Sequence, residues 1–187
     1  MLKDITTGGM SVDRTHRPRD GSAVSSYLIG RLVRNVFRRD ITVMLDTAVT
    51  DIETNRGAVY GVQLLNNEND RISIRTRSVI VVTGGFSANH QMVVKYRPNL
   101  AGFVTINHKE ATGSGIALLE QIGADTVDMG EIQIHPTVEQ NSAYLISESI
   151  RGGGAILVNQ QGNRFCNEME TRDHISAQII ALPEKHA

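Results

Sequence analysis

Cysteine, tryptophan and proline are scarce in this chain of 187 residues: one Cys, no Trp and four Pro. A lone thiol, Cys166, closes no disulfide, so a disulfide-stapled scaffold is excluded. One cysteine and six scattered histidines also give no metal-ligand spacing, and no metal site is expected. No apolar run approaches the roughly 18 residues of a membrane-spanning helix, and no basic-then-apolar leader opens the chain. Neither sign of charge dominates. Nineteen Lys and Arg stand against 20 Asp and Glu, for a net charge of -1, which argues against a nucleic-acid partner. Also missing are a Gly-x-Gly-x-x-Gly turn after a strand and a P-loop with its lysine, the usual pyrophosphate-binding elements. What is present suffices for a core: 40% apolar residues and 17 glycines. The length suits one large domain or two small ones, and the expected compartment is the cytoplasm.

Charge is uneven along the chain. Residues 1–40 hold eight basic and four acidic side chains, the remainder eleven and sixteen. The basic end is either a solvated helix face or an anion-facing surface. Gly8-Gly9 and Arg17-Pro18 are turn signals. Residues 21–39 then read as a helix, with Asp20 or Ser22 as cap. Val24, Leu28, Leu32 and Val36 repeat every four residues, flanked by Ile29, Val33 and Phe37.

The period changes after residue 40. Short strands are expected at 41–45, 47–53, 58–65 and 71–77, with turns at Asn55-Arg56-Gly57 and over residues 66–70. Val79-Ile80-Val81-Val82 does not alternate, which predicts a strand buried on both faces, as in a parallel sheet. It runs into Thr83-Gly84-Gly85-Phe86, at the strand end where open α/β sheets bind ligands. Residues 89–96 read as a short helix, 97–112 as loop and 115–123 as a helix. Residues 124–147 read as broken strands and 148–170 as a Gly-rich stretch around a strand at 155–158. A final helix capped by Thr171 or Asp173 reaches about residue 182. The order argues for an α/β fold with an antiparallel excursion.

Two groups of residues could carry chemistry. Thr83-Gly84-Gly85 and Thr112-Gly113-Ser114-Gly115 let a ligand approach the backbone closely, because glycine presents no Cβ, and a helix start suits an electron-rich group. The second group, between residues 135 and 173, contains His135, Glu148, Arg151, Arg164, Glu168, Arg172 and Asp173. Spacing alone leaves open whether these arginines brace loops or act in catalysis. Cys166, between Phe165 and Asn167, reads as a buried, inert thiol.

The string HPTVEQNSAYLISESIRGGGAILVNQQGNRFCNEMETRD at residues 135–173 resembles the flavoprotein subunits of fumarate reductases and succinate dehydrogenases, in particular the soluble flavocytochrome c type. GGMSVDRTHRPRDG at 8–21, VIVVTGGFSAN at 79–89 and ATGSGIALLEQIGA at 111–124 resemble further segments of that family, in the same order. The resemblance implies a partial FAD-binding, Rossmann-like domain with a β-meander over residues 1–130. It implies the start of an α+β capping domain over residues 131–187.

It also implies roles. His135 and Ser147 would bind a substrate carboxylate, serine standing where the family has threonine. Glu148 and Arg151 would form a proton route, and Arg172, in Thr-Arg-Asp, would donate the proton to substrate. Val49, Thr83, Gly84, Gly113 and Ser114 would contact FAD, serine replacing the family's aspartate at 114. The implied reaction is reduction of the C=C bond of an unsaturated dicarboxylate, fumarate to succinate. A relative acting on another acid such as urocanate and a non-catalytic remnant without FAD are the alternatives. The family's N-terminal Gly-x-Gly-x-x-Gly unit and its C-terminal second His and Arg are not within these residues. The expectation is therefore a central fragment, inactive by itself, that self-associates through exposed edges.

Overall fold

A computed structural model describes residue 12 and residues 18–184. The Gly8-Gly9 turn and most of the 8–21 segment lie outside the described residues. The chain divides into two compact units, Thr42–Ile132 and the pair of segments Met1–Ile41 and Gln133–Ala187. Both helices and sheets are present, as expected from the sequence, and both sheets are antiparallel.

The unit Thr42–Ile132 is built on a three-stranded meander, β1 (Thr47–Asn55), β2 (Ala58–Asn66) and β3 (Arg71–Arg75), in the order β1-β2-β3. The two-residue link between β1 and β2 is Arg56-Gly57, both with positive φ (50° and 80°). Those dihedrals match the right-handed twist of a tight hairpin. Register aligns Ile52 with Val62 and Ile74 across the three strands, and Leu64 with Val49 and Ile72. Ile52, Val62 and Leu64 form the buried centre. Helix α3 (Ser114–Gln121) and the turn after it cover it with Leu118, Leu119 and Ile122. The opposite face carries a polar row, in which Gln63 Nε2 donates to Glu53 Oε1 at 2.5 Å and to Ser73 Oγ at 3.1 Å. Helix α2 (His90–Tyr96) starts at Asn89, whose side chain accepts from the Met92 N–H at 3.1 Å.

Several expectations fail here for identifiable reasons. Residues 41–45 form no strand: Asp40 and Asp46, both at φ 50°, bracket a segment whose apolar side chains are exposed. Val79–Val82 form no strand either. Val79 and Val81 pack on the core, whereas Ile80 and Val82 are 87% and 86% exposed, so the run is buried on one side only. Among the described residues no strand pairs with it, and the ladder that would make it part of a parallel sheet is absent.

In the other unit, α1 (Val24–Phe37) forms where the four-residue spacing predicts it. Neither Asp20 nor Ser22 caps it. Asp20 Oδ1 instead accepts from the Ser22 N–H at 3.0 Å, and Ala23 takes the N-cap position. The apolar stripe packs against no other described element, and none of its residues is buried. Residues 124–147 yield only two strands of two residues, β4 (Val138–Glu139) and β5 (Tyr144–Leu145). The strand expected at 155–158 shrinks to one bridge between Val158 and Arg164. Helix α4 (Glu148–Gly152) was not expected, because two of its five residues are serine and glycine, both poor helix formers. Ser147 caps it, and Glu148 complements its positive end. Helix α5 (Arg172–Ile180) begins after Thr171 and buries Ile175, Ser176 and Ile179.

Candidate functional site

Two short helices place the charged residues. Glu148 is the first residue of α4 and Arg151 the fourth, so both lie on one face of a single turn. Arg172 opens α5, where its side chain is free to reach back from the helix start. His135 precedes β4 in the segment that Thr137 ties down. The Thr137 hydroxyl donates to the Ile146 carbonyl at 2.8 Å, and the Ile146 N–H donates to the Thr137 carbonyl at 3.0 Å.

These elements converge on the Glu148 carboxylate. Arg172 holds it in a fork, Nε donating to Oε1 and Nη2 to Oε2 at 3.0 Å. Arg151 Nη2 lies 3.8 Å from Oε1, and His135 Nε2 lies 3.9 Å from the same oxygen. Arg172 makes a further bond from Nη1 to Gln133 Oε1 at 2.7 Å. Accessibility grades through the group: Arg151 is almost fully buried, His135 and Glu148 are largely covered, and Arg172 is open to solvent over more than a third of its side chain.

The electrostatics follow from this packing. The Arg172 hydrogen bond holds the Glu148 carboxyl below its ordinary range, against the opposing effect of burial. Arg172 is pushed up by the same bond. The His135 imidazole is pushed down, first by burial and then by the positive charges of Arg172 and Arg151, with Glu148 opposing them. Its Nδ1 accepts from the Thr137 N–H at 3.3 Å, which leaves the proton on Nε2, toward Glu148. At neutral pH the group therefore holds two guanidiniums, one carboxylate and a neutral imidazole, a net charge of +1. Such a group attracts a carboxylate-bearing molecule.

Ser147 sits at the edge of this group, and its hydroxyl has local partners. Its oxygen accepts from the Ser149 N–H at 3.4 Å and lies 2.7 Å from Ser149 Oγ. When Ser149 is the donor in that pair, the Ser147 hydrogen is available to an acceptor outside. Gln133, Thr137 and Ser149 are members of the site that sequence reasoning missed. They are neutral hydrogen-bonding residues, and no spacing marks such residues in a sequence. Arg164 and Glu168, left open between bracing and catalysis, form a brace: Arg164 Nη2 donates to Glu168 Oε2 at 2.6 Å. Cys166 is partly buried and its thiol is pushed up by burial, as an inert thiol should be.

The residues expected to contact FAD lie in the other unit. Four of the five are brought together by two stitched turns. The Gly113 N–H donates to the Gly85 carbonyl at 3.2 Å, the Ala88 N–H to the Ala111 carbonyl at 2.9 Å, and Asn89 Nδ2 to the Thr112 carbonyl at 3.0 Å. Gly113 is the N-cap of α3 at φ 80°, where a Cβ would lie 2.7 Å from Met92 Sδ and 2.9 Å from Phe86 Cβ. A Cβ on Gly115 would collide with Thr83. Gly84, at φ 76°, and Gly85 have nothing within 4 Å of where a Cβ would stand. Thr83, Gly84 and Ser114 are exposed. Val49 is exposed on the edge strand β1, against which α3 packs. At Gly84 and Gly85 the backbone is open beside a helix start, which would let the edge of a flat cofactor approach it. Among the described residues no group of three or more metal-binding side chains occurs, and no helix is long and apolar enough to cross a membrane.

Comparison with known proteins identifies the family to which the chain belongs. The whole chain is 72% identical to the NADH:fumarate oxidoreductase of Klebsiella pneumoniae (strain 342), covering 20% of that protein. It is 37% identical over 181 residues to the fumarate reductase (cytochrome) of Shewanella frigidimarina, covering 96% of this chain and 32% of that protein. The open conformation of a flavocytochrome c3 fumarate reductase superposes with a TM-score of 0.79 at 36% identity, over 98% of this chain and 33% of the other. The chain thus spans between a fifth and a third of the length of these relatives. Residues 5–186 match the FAD binding domain family, and the chain belongs to that family.

Proposed function

We propose that this chain is part of an FAD-dependent oxidoreductase that reduces the C=C bond of an unsaturated dicarboxylate, fumarate to succinate. The observation that carries this reading is the Arg172–Glu148–Arg151 chain, which runs from an accessible guanidinium to a buried one through a single carboxylate. When bound, FAD supplies the hydride that goes to one carbon of the double bond.

This chain's residues then account for the other half of the addition. The net positive charge of the group draws the dianion in. His135, with Nε2 protonated, and Ser147, with its hydroxyl, hold a carboxylate. Arg172 gives a proton from its guanidinium to the second alkene carbon. An arginine holds its proton more tightly than any other side chain, and the bond to Glu148 pushes Arg172 up further, so a neutral Arg172 is short-lived. Arg151 passes a proton to the Glu148 carboxylate, Glu148 passes one to Arg172, and solvent restores Arg151. Hydride and proton together complete the two-electron reduction. Thr83, Gly84, Gly113 and Ser114 line the cradle that would hold the flavin edge, and Val49 the edge strand beside α3.

The resemblance of the site and the fumarate-reducing relatives both support fumarate over urocanate. The domain reading assigns residues 1–130 to the flavin domain and 131–187 to the cap. A cytoplasmic location, tested by cell fractionation, belongs to the same proposal. So does self-association, supported by the uncovered stripe of α1 and tested by light scattering. The function is tested with the full-length flavin-loaded protein and reduced flavin as donor. Stoichiometric succinate from fumarate is expected, and reoxidation of the flavin without succinate would contradict the proposal.

A further inference from the structure

Arg151 is 4% exposed, the least accessible charge in the site. Its Nε has no hydrogen-bond partner. The one hydrogen bond of its guanidinium among the described residues runs from Nη1 to the main-chain carbonyl of Glu168, at 3.0 Å. Nη2 is the nitrogen that faces Glu148, at 3.8 Å. The direction of that guanidinium is therefore set from Glu168, a residue whose hydrogen bonds and ion pairs among the described residues run to Arg151, Leu157 and Arg164 and not to Glu148, His135 or Arg172.

Glu168 is itself 3% exposed and held at two points. Its Oε1 accepts the Leu157 N–H at 2.8 Å. Arg164 forks onto the carboxylate, with Nε 3.2 Å from both oxygens and Nη2 2.6 Å from Oε2. With the Leu157 amide, these bonds hold the carboxyl at about 2, Arg164 being the largest cause. A buried carboxylate left without partners would cost far more than one so bound. The side chain thus fixes where the backbone of residue 168 stands, and that backbone carries the carbonyl on which Arg151 rests.

We propose that Glu168 is a positioning residue for proton delivery: its carboxylate pins the 164–168 turn to Leu157, and its carbonyl thereby aims Arg151 at Glu148. The inference rests on the proton route proposed above. A gap of 3.8 Å between Arg151 and Glu148 is longer than a hydrogen bond, so transfer needs Arg151 to close on the carboxylate from a defined direction. Loss of that direction slows proton delivery and leaves substrate binding intact.

The test compares Glu168→Ala and the near-isosteric Glu168→Gln with wild type in the full-length flavin-loaded protein. For Ala, kcat for fumarate reduction is expected to fall roughly tenfold or more, with KM within about twofold. For Gln, which keeps one acceptor for Leu157, a smaller fall is expected. In both variants the solvent deuterium isotope effect on kcat should rise, because proton delivery becomes slower than hydride transfer. An unchanged kcat, or a fall in kcat with an unchanged isotope effect, would overturn the assignment. If Glu168→Ala does not accumulate, Glu168→Gln alone decides by the same criterion. Hydrogen exchange separates this inference from the reading beneath it. Faster amide exchange at residues 149–158 in the variants is expected whether or not the wild type reduces fumarate. Unchanged exchange there would refute the pinning by itself. A wild type inert toward fumarate, with the exchange change present, would refute only the proton route.

Discussion

Glu148 is the residue on which the site turns, because an accessible guanidinium, a buried one and an imidazole all face its carboxylate. Its lowered pKa keeps it ionised at neutral pH, so the positive charges around it are neutralised only in part. His135 responds in the opposite sense to an isolated histidine beside a carboxylate. Burial and two arginines outweigh Glu148 and push the imidazole below 6.5. A histidine lowered on folding contributes stability that is present above its unfolded pKa, about 6.5, and is lost as pH falls below it. NMR titration of His135 should accordingly find it less than half protonated at pH 6.5, with Nε2 carrying the proton of the neutral form. An imidazole half-protonated at or above pH 6.5 would contradict this electrostatic balance. The charged members of the site were legible in the sequence because a long, specific string carries them in family order. Gln133, Thr137 and Ser149 were not. Their part is to accept or donate hydrogen bonds, which depends on folding and leaves no pattern in the chain. The role of Glu168 was hidden for a related reason: it acts on Arg151 through its backbone.

At the scale of elements, the meander was readable from alternation and turn chemistry. The Arg56-Gly57 hairpin and the 47–66 strands emerged within a few residues of expectation. The run at 79–82 was not, since a continuous β-branched stretch looks the same whether a neighbour covers one face or two. The uncovered stripe of α1 makes the same point, because periodicity marks an apolar face without saying what packs on it. The glycine cradle is where element geometry bears most on function. Gly113 joins the turn at Gly85 to the start of α3, in a left-handed conformation and with no room for a Cβ. Gly113→Ala should destabilise the unit by at least about 2 kcal/mol, from backbone strain and overpacking together. In the full-length protein it should also lower the flavin content on purification. Thermal denaturation and the flavin-to-protein absorbance ratio check this, and wild-type values for both would contradict the assigned cradle.

For the molecule as a whole, two features belong to the two units separately: a glycine cradle in Thr42–Ile132 and a net-positive, graded charge chain in the other. Each has a chemical counterpart in the proposed reaction, the cradle for the hydride carrier and the charge chain for the proton. The balanced overall charge of -1 hides this, because the site's excess positive charge is local. The central claim is that Arg172 delivers the proton. Stopped-flow reoxidation of the reduced flavin by fumarate, in full-length wild type and Arg172→Ala at equal flavin content, tests it most directly. The account predicts that the variant keeps its flavin and reoxidises it about 100-fold or more slowly, the scale of a lost general acid. Reoxidation at the wild-type rate, with succinate still formed, would contradict it.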